Sequence, residues 1–362
     1  MPNLKGREML RGMEEQIFDM VCEGTSPEQW AAWLRAPLEQ ALARGAKSLA
    51  ATLAGADANA SSPLTGCTAL HYAATSNQVG AIDALVESGA RVDAPNKNFW
   101  TPLLYASDRG RTEAAVALLK HGADIEKLTN RGRTPLRLAA DHGHLAVVSI
   151  LLAAGAAVTR RAGEAQHSAM DAAARFDRVD ALKALIDHGA DVNAASPVGG
   201  YVALHQAAYA DHAVVIDLLA AAGADCDKKS CNGYAPLHTA ALYGSSEATR
   251  ALLRNGARPN ARNKEGRTAL HLAASKAGQD GAAECVDLLL RWGADETAVD
   301  TRRKTAADFL GGRAVAAGEQ RRVSGDNKEF DRVQKLLENA PADRAWRRRG
   351  LLVVCRAQTH RM

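Results

Sequence analysis

Residues 235–258 read APLHTAALYGSSEATRALLRNGAR, and the fold class follows from this stretch. Its apolar residues fall in two short runs, Pro236 to Leu242 and Ala248 to Leu253, separated by Tyr243-Gly244-Ser245 and closed by Asn255-Gly256-Ala257. Pro in the first turn costs a helix nothing, because the N–H it lacks has no intrahelical partner there. Gly244 and Gly256 stand where each helix must end, and glycine enters the left-handed conformation of a helix C-cap without steric penalty. The spacing predicts a short helix, a tight turn and a second short helix.

The same pattern recurs outward in both directions. TALHYAA begins at Thr68, TPLLYAS at Thr101, TPLRLAA at Thr134, SAMDAAA at Ser168, VALHQAA at Val202 and TALHLAA at Thr268, with spacings of 33 or 34 residues. A Gly-Ala pair keeps phase with it at Gly55, Gly89, Gly122, Gly155, Gly189, Gly223, Gly256 and Gly293. Nine residues after the first six motif starts come Asn77, Gly110, Gly143, Asp177, Asp211 and Gly244, types that adopt a left-handed backbone cheaply. Thr or Ser at the motif start is a helix N-cap, and Val202 lacks that function. Two phased signals over seven copies mark a repeat architecture in which each unit buries its apolar face only against its neighbours.

With T-P-L-H-x-A and G-A-D in a 33-residue frame, the chain resembles the ankyrin-repeat family from about Ala36 to Asp300. The resemblance implies an all-α ankyrin-repeat solenoid with divergent capping repeats. The fourth and fifth motifs depart most: Ser168 to Asp171 replaces T-P-L-H, Val202 replaces the capping Thr, and both repeats are expected to be locally softer. Four regions are expected: a helical extension over 1–35, with helices at Arg7 to Val21 and Pro27 to Arg35; an array over 36–300, made of a shortened cap repeat and seven repeats; a divergent cap repeat over 301–340; and a basic tail over 341–362. Four extra residues near Gly278 to Ala282 lengthen the turn of the seventh repeat. The last unit starts at Thr305 and resumes a helix at Lys328 to Asn339, with a Gly- and Ala-rich loop between.

Composition restricts the function. The chain is 47% hydrophobic but only 4% aromatic, so its core is built from Ala, Leu and Val. A net charge of +4 does not suggest a dedicated nucleic-acid binder. Six cysteines, with no C-x-x-C pair, read as structural thiols in a reducing compartment; only Cys226 and Cys231 are near each other. The charged N-terminus resembles no secretory signal, and no apolar run approaches about 18 residues, so a cytoplasmic protein is expected, with the nucleus left open.

Nothing in the sequence assembles a catalytic, metal or cofactor site. His71, His205, His238 and His271 occupy the T-P-L-H column, and the resemblance implies that they hydrogen-bond neighbouring turns. Asp141, Asp171 and Asp187 are scattered along the array, and equivalent side chains in successive repeats stand about 10 Å apart, too far for acid–base pairs. No phosphate-binding, nucleophile-elbow or zinc-protease motif occurs. Asn59, Asn193 and Asn260 resemble asparagines hydroxylated in other ankyrin proteins, and an ordinary turn role is the favoured reading. No enzyme, no cofactor, no metal and no small-molecule substrate are therefore expected.

The resemblance implies a concave face formed by the loop tips and first helices. The residue before each motif and those seven and eight places after its start vary while the framework holds Leu, Ala and Gly. Seven of only 16 aromatic residues fall on or beside these columns, a concentration that points to binding of a protein partner by a monomeric scaffold or adaptor. Trp100, Arg133, His142, His167, Phe176, Tyr201, Tyr209, Tyr234 and Tyr243 are the candidate contacts. The alternative is a module that meets nucleic acid or an anionic membrane through its tail, where Arg344, Arg347, Arg348 and Arg349 lie beside Trp346.

Overall fold

The computed structural model describes residues 58–62, 64–161, 166–310 and 328–340. The N-terminal extension, the shortened cap repeat with Gly55, the Gly- and Ala-rich insertion and the basic tail with Arg344, Arg347, Arg348 and Arg349 lie outside the described residues. Regular structure among the described residues is helical, and Ser61 and Thr68 form an isolated antiparallel bridge.

Two compact units divide the chain near residues 157–165. The first unit holds three helix pairs: α1 (Ala69–Thr75) with α2 (Val79–Glu87), α3 (Pro102–Asp108) with α4 (Thr112–Lys120), and α5 (Pro135–His142) with α6 (Leu145–Ala153). The second holds α7 (Ala169–Arg175) with α8 (Val179–Asp187), α9 (Ala203–Tyr209) with α10 (Ala213–Ala221), α11 (Pro236–Tyr243) with α12 (Ser246–Arg254), and α13 (Ala269–Ala274) with α14 (Ala282–Arg291). A 3₁₀ turn at Ala307–Phe309 and a helix α15 over 328–340 complete it. Within each unit the first helix of one pair packs on the first helix of the next, and the two helices of each pair pack on each other.

The columns read from the sequence become layers. Leu70, Leu103, Leu136, Leu204, Leu237 and Leu270 are buried to within 2% of full exclusion, and small residues such as Ala73, Ala106, Ala139, Ala173, Ala207, Ala240 and Ala273 let the first helices approach closely. Leu85, Leu118, Leu151, Leu185, Leu219, Leu252 and Leu289 do the same on the second helices. Each fully buried Leu contributes about 1.5–3 kcal/mol from area removed from water. Repeats with so few large side chains are stabilised by stacking, because no single pair encloses a core.

Helix ends follow local chemistry. Asn77, Gly110, Gly143, Asp177, Asp211 and Gly244 all have positive φ, as the capping column predicts. Asn77 and Asp211 add a second function, since their side-chain oxygens accept the Ala114 and Ala248 N–H groups at the start of the next repeat's second helix. At Gly189 (φ +81°) the backbone forms a Schellman cap, with Ala190 N–H donating to Leu185 O and Gly189 N–H to Ile186 O. The longer turn of the seventh repeat runs from Ser275 to Gly281 as expected.

Of the two divergent motifs the first keeps a side-chain cap and the second does not. Ser168 and Asp171 cap each other reciprocally, Ser168 N–H donating to Asp171 at 2.8 Å and Asp171 N–H to the Ser168 hydroxyl at 3.2 Å. At Val202, which has no hydroxyl, the His205 Nδ1 accepts the Val202 N–H at 3.2 Å. The same bond forms at Thr68 and Thr268, so it does not replace the missing hydroxyl.

Between helix pairs the chain forms short hairpins whose tips join by backbone bonds. In the first unit Lys97 N–H donates to Thr65 O at 3.0 Å and Asn130 N–H to Asn98 O at 3.1 Å. In the second, Cys231 donates to Gly199, Lys264 to Asn232 and Thr301 to Glu265 at 2.9–3.2 Å. At the base of the hairpins Asn59, Asn193 and Asn260 clamp successive repeats. Each donates from Nδ2 to a glycine carbonyl, of Gly89, Gly223 and Gly293, and accepts a backbone N–H, of Arg91, Asp225 and Asp295.

Candidate functional site

The four T-P-L-H histidines take a structural task that fixes their protonation. Each Nδ1 accepts the N–H of the residue that starts its motif, at 3.0–3.2 Å from Thr68, Val202, Ala235 and Thr268. Each Nε2–H donates to a backbone carbonyl of the following repeat: Trp100, Tyr234, Arg267 and Lys304. That geometry requires the neutral ring. Burial disfavours the imidazolium and pushes His71 and His205 down to about 4; it lowers His238 and His271 as well. These rings tie one repeat to the next and offer no free base.

In the fourth motif Asp171 stands in the histidine column. Its carboxylate meets the Arg161 guanidinium, and Arg161 continues to the carbonyls of Gln166 at 3.1 Å and Ala194 at 2.9 Å. The arginine thus supplies the link between hairpins that a histidine makes elsewhere. The pair is nearly excluded from water, with Arg161 11% and Asp171 3% exposed.

The candidate contacts fall into two kinds. Those preceding a motif are half-buried and lean on their own framework: Trp100 lies 5.0 Å from the Tyr105 ring, Tyr201 edge-on to His205 at 5.3 Å, and Tyr234 edge-on to His238 at 5.8 Å. Arg133 is also half-buried, 3.6 Å from the buried Asp141 carboxylate, and His167 is half-buried. Exposed His142 bonds Asp108 at 3.1 Å. Trp100, Arg133 and His142 belong to the first unit, the others to the second.

The residues that end the first helices behave differently. Tyr209 and Tyr243 are 40% and 53% exposed, yet pack edge to face with centroids 4.5 Å apart and planes at 77°. Arg175 covers the Tyr209 ring at 5.0 Å and lies 6.0 Å from Phe176, itself 47% exposed. Three rings and a guanidinium from successive repeats of one unit thus form a continuous exposed patch. Tyr234 is not in it: of the candidate tyrosines Tyr209 and Tyr243 form an exposed pair, while Tyr234 is a framework ring. Sequence reasoning placed Arg175 in the variable column without naming it a contact; its adjacency to Phe176 was the available signal. Tyr105 went unnoticed: its hydroxyl accepts from Asn96 Nδ2 at 3.0 Å and lies 3.7 Å from Cys67 Sγ, and burial raises its pKa.

Among the described residues no group of three or more His, Cys, Asp or Glu is placed to hold a metal ion, and no helix is long and apolar enough to cross a membrane. Cys67, Cys226, Cys231 and Cys285 are free thiols. Burial pushes the Cys285 thiol up to about 11, which leaves it without nucleophilic character at neutral pH.

Known proteins carry the same repeat. A family model described as ankyrin repeats (3 copies) matches residues 38–129, 124–196 and 203–300. The chain is 32% identical over 133 residues, 36% of its length, to the E3 ubiquitin-protein ligase KEG of Arabidopsis thaliana, and 34% identical over 148 residues, 41% of its length, to neurogenic locus notch homolog protein 1 of Xenopus tropicalis. It spans only 8% and 6% of the length of those relatives. Among solved structures, the human ASB11 ankyrin repeat domain matches with a TM-score of 0.55 at 27% identity, covering 63% of this chain and 99% of that one. The ankyrin repeat domain of Bcl-3 matches with a TM-score of 0.53 at 24% identity, covering 62% and 98%, which bears on the fold. Because the family model accounts for well over half of the sequence, the chain belongs to the ankyrin-repeat family.

Proposed function

We propose that this chain is a non-catalytic adaptor that binds a protein partner as a monomer, with the exposed patch of Arg175, Phe176, Tyr209 and Tyr243 as its anchor. Ankyrin repeats are protein-interaction modules, and the observation that carries the site is the Tyr209–Tyr243 pair, edge to face yet half open to water. Rigid rings bury large apolar area on binding at small entropic cost and keep a polar tip for hydrogen bonds at a wet rim. Arg175 stacked on Tyr209 is held ready for a carboxylate or carbonyl of the partner. Trp100, Arg133, His142, His167, Tyr201 and Tyr234, half-buried or already bonded, serve as secondary contacts.

The test compares the wild type with a Tyr209→Ala/Tyr243→Ala variant by quantitative affinity capture, with melting temperature measured alongside. Truncated anchors of this kind typically cost about 2 kcal/mol or more each in binding. The expected result is at least about tenfold weaker capture of the native partner with a nearly unchanged melting temperature. Tyr234→Ala, by contrast, should lower stability through its lost contact with His238. Undiminished capture by the double variant would sink the assignment.

A further inference from the structure

The last three hairpins of the second unit carry a row of positive charge that the fold positions but does not neutralise. Their tips are held side by side by the Lys264 N–H to Asn232 O bond of 3.2 Å and the Thr301 N–H to Glu265 O bond of 3.0 Å. Lys229, Arg262, Lys264, Arg302, Arg303 and Lys304 are all exposed there. None of the six makes an ion pair with a carboxylate among the described residues. Lys229 Nζ donates instead to the Arg262 carbonyl at 2.9 Å, and Arg262 donates to the carbonyls of Gly266 at 3.3 Å and Val299 at 2.6 Å. Bonds to carbonyls fix where these cations sit and leave their charge intact.

The nearby acids are already engaged. Glu265 pairs with Arg267 at 2.6 Å. Asp300, with its side chain 1% exposed, accepts the Arg302 and Lys304 backbone N–H groups at 2.8 and 2.9 Å and faces Arg267 at 3.6 Å. Six cations over three adjacent tips repel one another at low salt, and an anionic ligand relieves that repulsion.

The chemistry around the row selects the kind of anion. Single-stranded nucleic acid is gripped by stacking on aromatic rings, but Tyr234 is turned edge-on to His238 and the Phe309 ring is covered by Arg267 at 4.8 Å. A membrane surface needs apolar groups to insert, and Val299, 39% exposed, is the one large apolar side chain of these tips above the exposure of the framework. Polypeptide carboxylates need neither. Neighbouring tips repeat at about the 10 Å of packed helices, and a chain in the polyproline II conformation advances about 3.1 Å per residue with three residues per turn, which returns every third side chain to the same face. One acidic residue in three therefore keeps step with the tips.

We infer that the hairpin tips of the last three repeats dock an acidic peptide segment in the polyproline II conformation, with carboxylates about every third residue, on Lys229, Arg262, Lys264, Arg302, Arg303 and Lys304. This rests on the protein-binding reading above but not on its aromatic patch.

The test uses the full chain and fluorescence anisotropy of a labelled peptide of about 12 residues, long enough for the roughly 30 Å of three tips, with Glu at every third position in a Gly/Ser background. Its counterparts are the same peptide with Gln for Glu and an oligonucleotide of equal charge, single- and double-stranded. The wild type should bind the Glu peptide, less tightly as salt rises, and ignore the Gln peptide. A combined Lys264→Gln/Arg302→Gln/Arg303→Asn/Lys304→Gln variant should weaken binding about tenfold or more; Asn suits position 303, whose φ is +60°. Single Lys264→Glu and Arg302→Glu variants, each expected to weaken binding, decide the matter should the combined variant not fold. Tyr209→Ala/Tyr243→Ala should bind the peptide like the wild type, so failure of the aromatic patch and failure of the cationic row are separately visible. The inference is overturned if the oligonucleotide binds better than the peptide, or if neutralising Arg344, Arg347, Arg348 and Arg349 abolishes peptide binding while the tip variants retain it.

Discussion

Acidification should loosen this protein well before its ordinary carboxylates titrate, because the T-P-L-H histidines are folded in as neutral rings. His71 and His205 titrate at about 4 in the folded chain against 6.5 for a free imidazole. A lowered folded pKa means that the unfolded chain binds the proton first, so stability is complete above about pH 6.5 and is lost as pH falls toward about 4. At about 1.4 kcal/mol per unit, each ring contributes about 3 kcal/mol over the whole window, and about 2 kcal/mol of that is lost by pH 5. Together the two account for about 4 kcal/mol at pH 5, a large share of a typical stability. His238 and His271 act in the same direction. Asp141 and Asp211 oppose it, since burial raises their pKa values and their protonation relieves the folded state. Urea unfolding at a series of pH values, with the imidazole Cε1–H resonances followed by NMR, measures both halves of the argument. Stability that stays flat between about pH 6.5 and 5, or His71 and His205 resonances that titrate near 6.5, would refute it.

Three further outcomes follow from named contacts. Phe99 has φ +61° and is 62% exposed, where the neighbouring hairpins place glycine, so Phe99→Gly should stabilise the protein by about 1 kcal/mol in urea unfolding; a loss would show that the ring packs. Gly189→Val should cost about 1–3 kcal/mol, because its φ of +81° excludes a β-branched residue although nothing lies within 4 Å of an added Cβ, and hydrogen exchange should rise first in the flanking repeats. Asp171→Ala strands the Arg161 guanidinium and should cost about 3–5 kcal/mol, measurable as a lowered unfolding midpoint, whereas a double change of both to apolar residues should recover most of it.

The repeat unit was legible in the sequence because each of its parts answers to local chemistry. A residue nine places after the motif must turn left-handed, so Asn77, Gly110, Asp177 and Asp211 announce the turn without reference to anything distant. The Ala and Leu columns announce which face is buried, since a 33-residue period brings like positions together when units stack. The divergent repeats were legible only in part. Val202 does lack a capping hydroxyl, and the bond from its N–H to His205 Nδ1, three residues on, is the one the Thr-capped repeats make as well. The substitute for histidine at Asp171 comes from Arg161, ten residues earlier and outside the motif.

The candidate site shows the same division. The sequence by itself determined which columns vary and that Trp100, Tyr201, Tyr209, Tyr234 and Tyr243 lie on them. It could not say which rings are spoken for: Trp100, Tyr201 and Tyr234 lean on rings four or five residues on in their own repeat, whereas Tyr209 meets the Tyr243 of the next. Tertiary structure decided that Tyr209 and Tyr243 meet at 4.5 Å and remain open, while Tyr234 turns edge-on to His238. It decided too that Glu265 and Asp300 face Arg267 while the lysines and arginines beside them keep their charge. The physical reason is common to both cases: periodicity fixes the direction in which a side chain leaves the backbone, whereas exposure and charge compensation depend on which side chains of its own repeat and of the next come into contact with it.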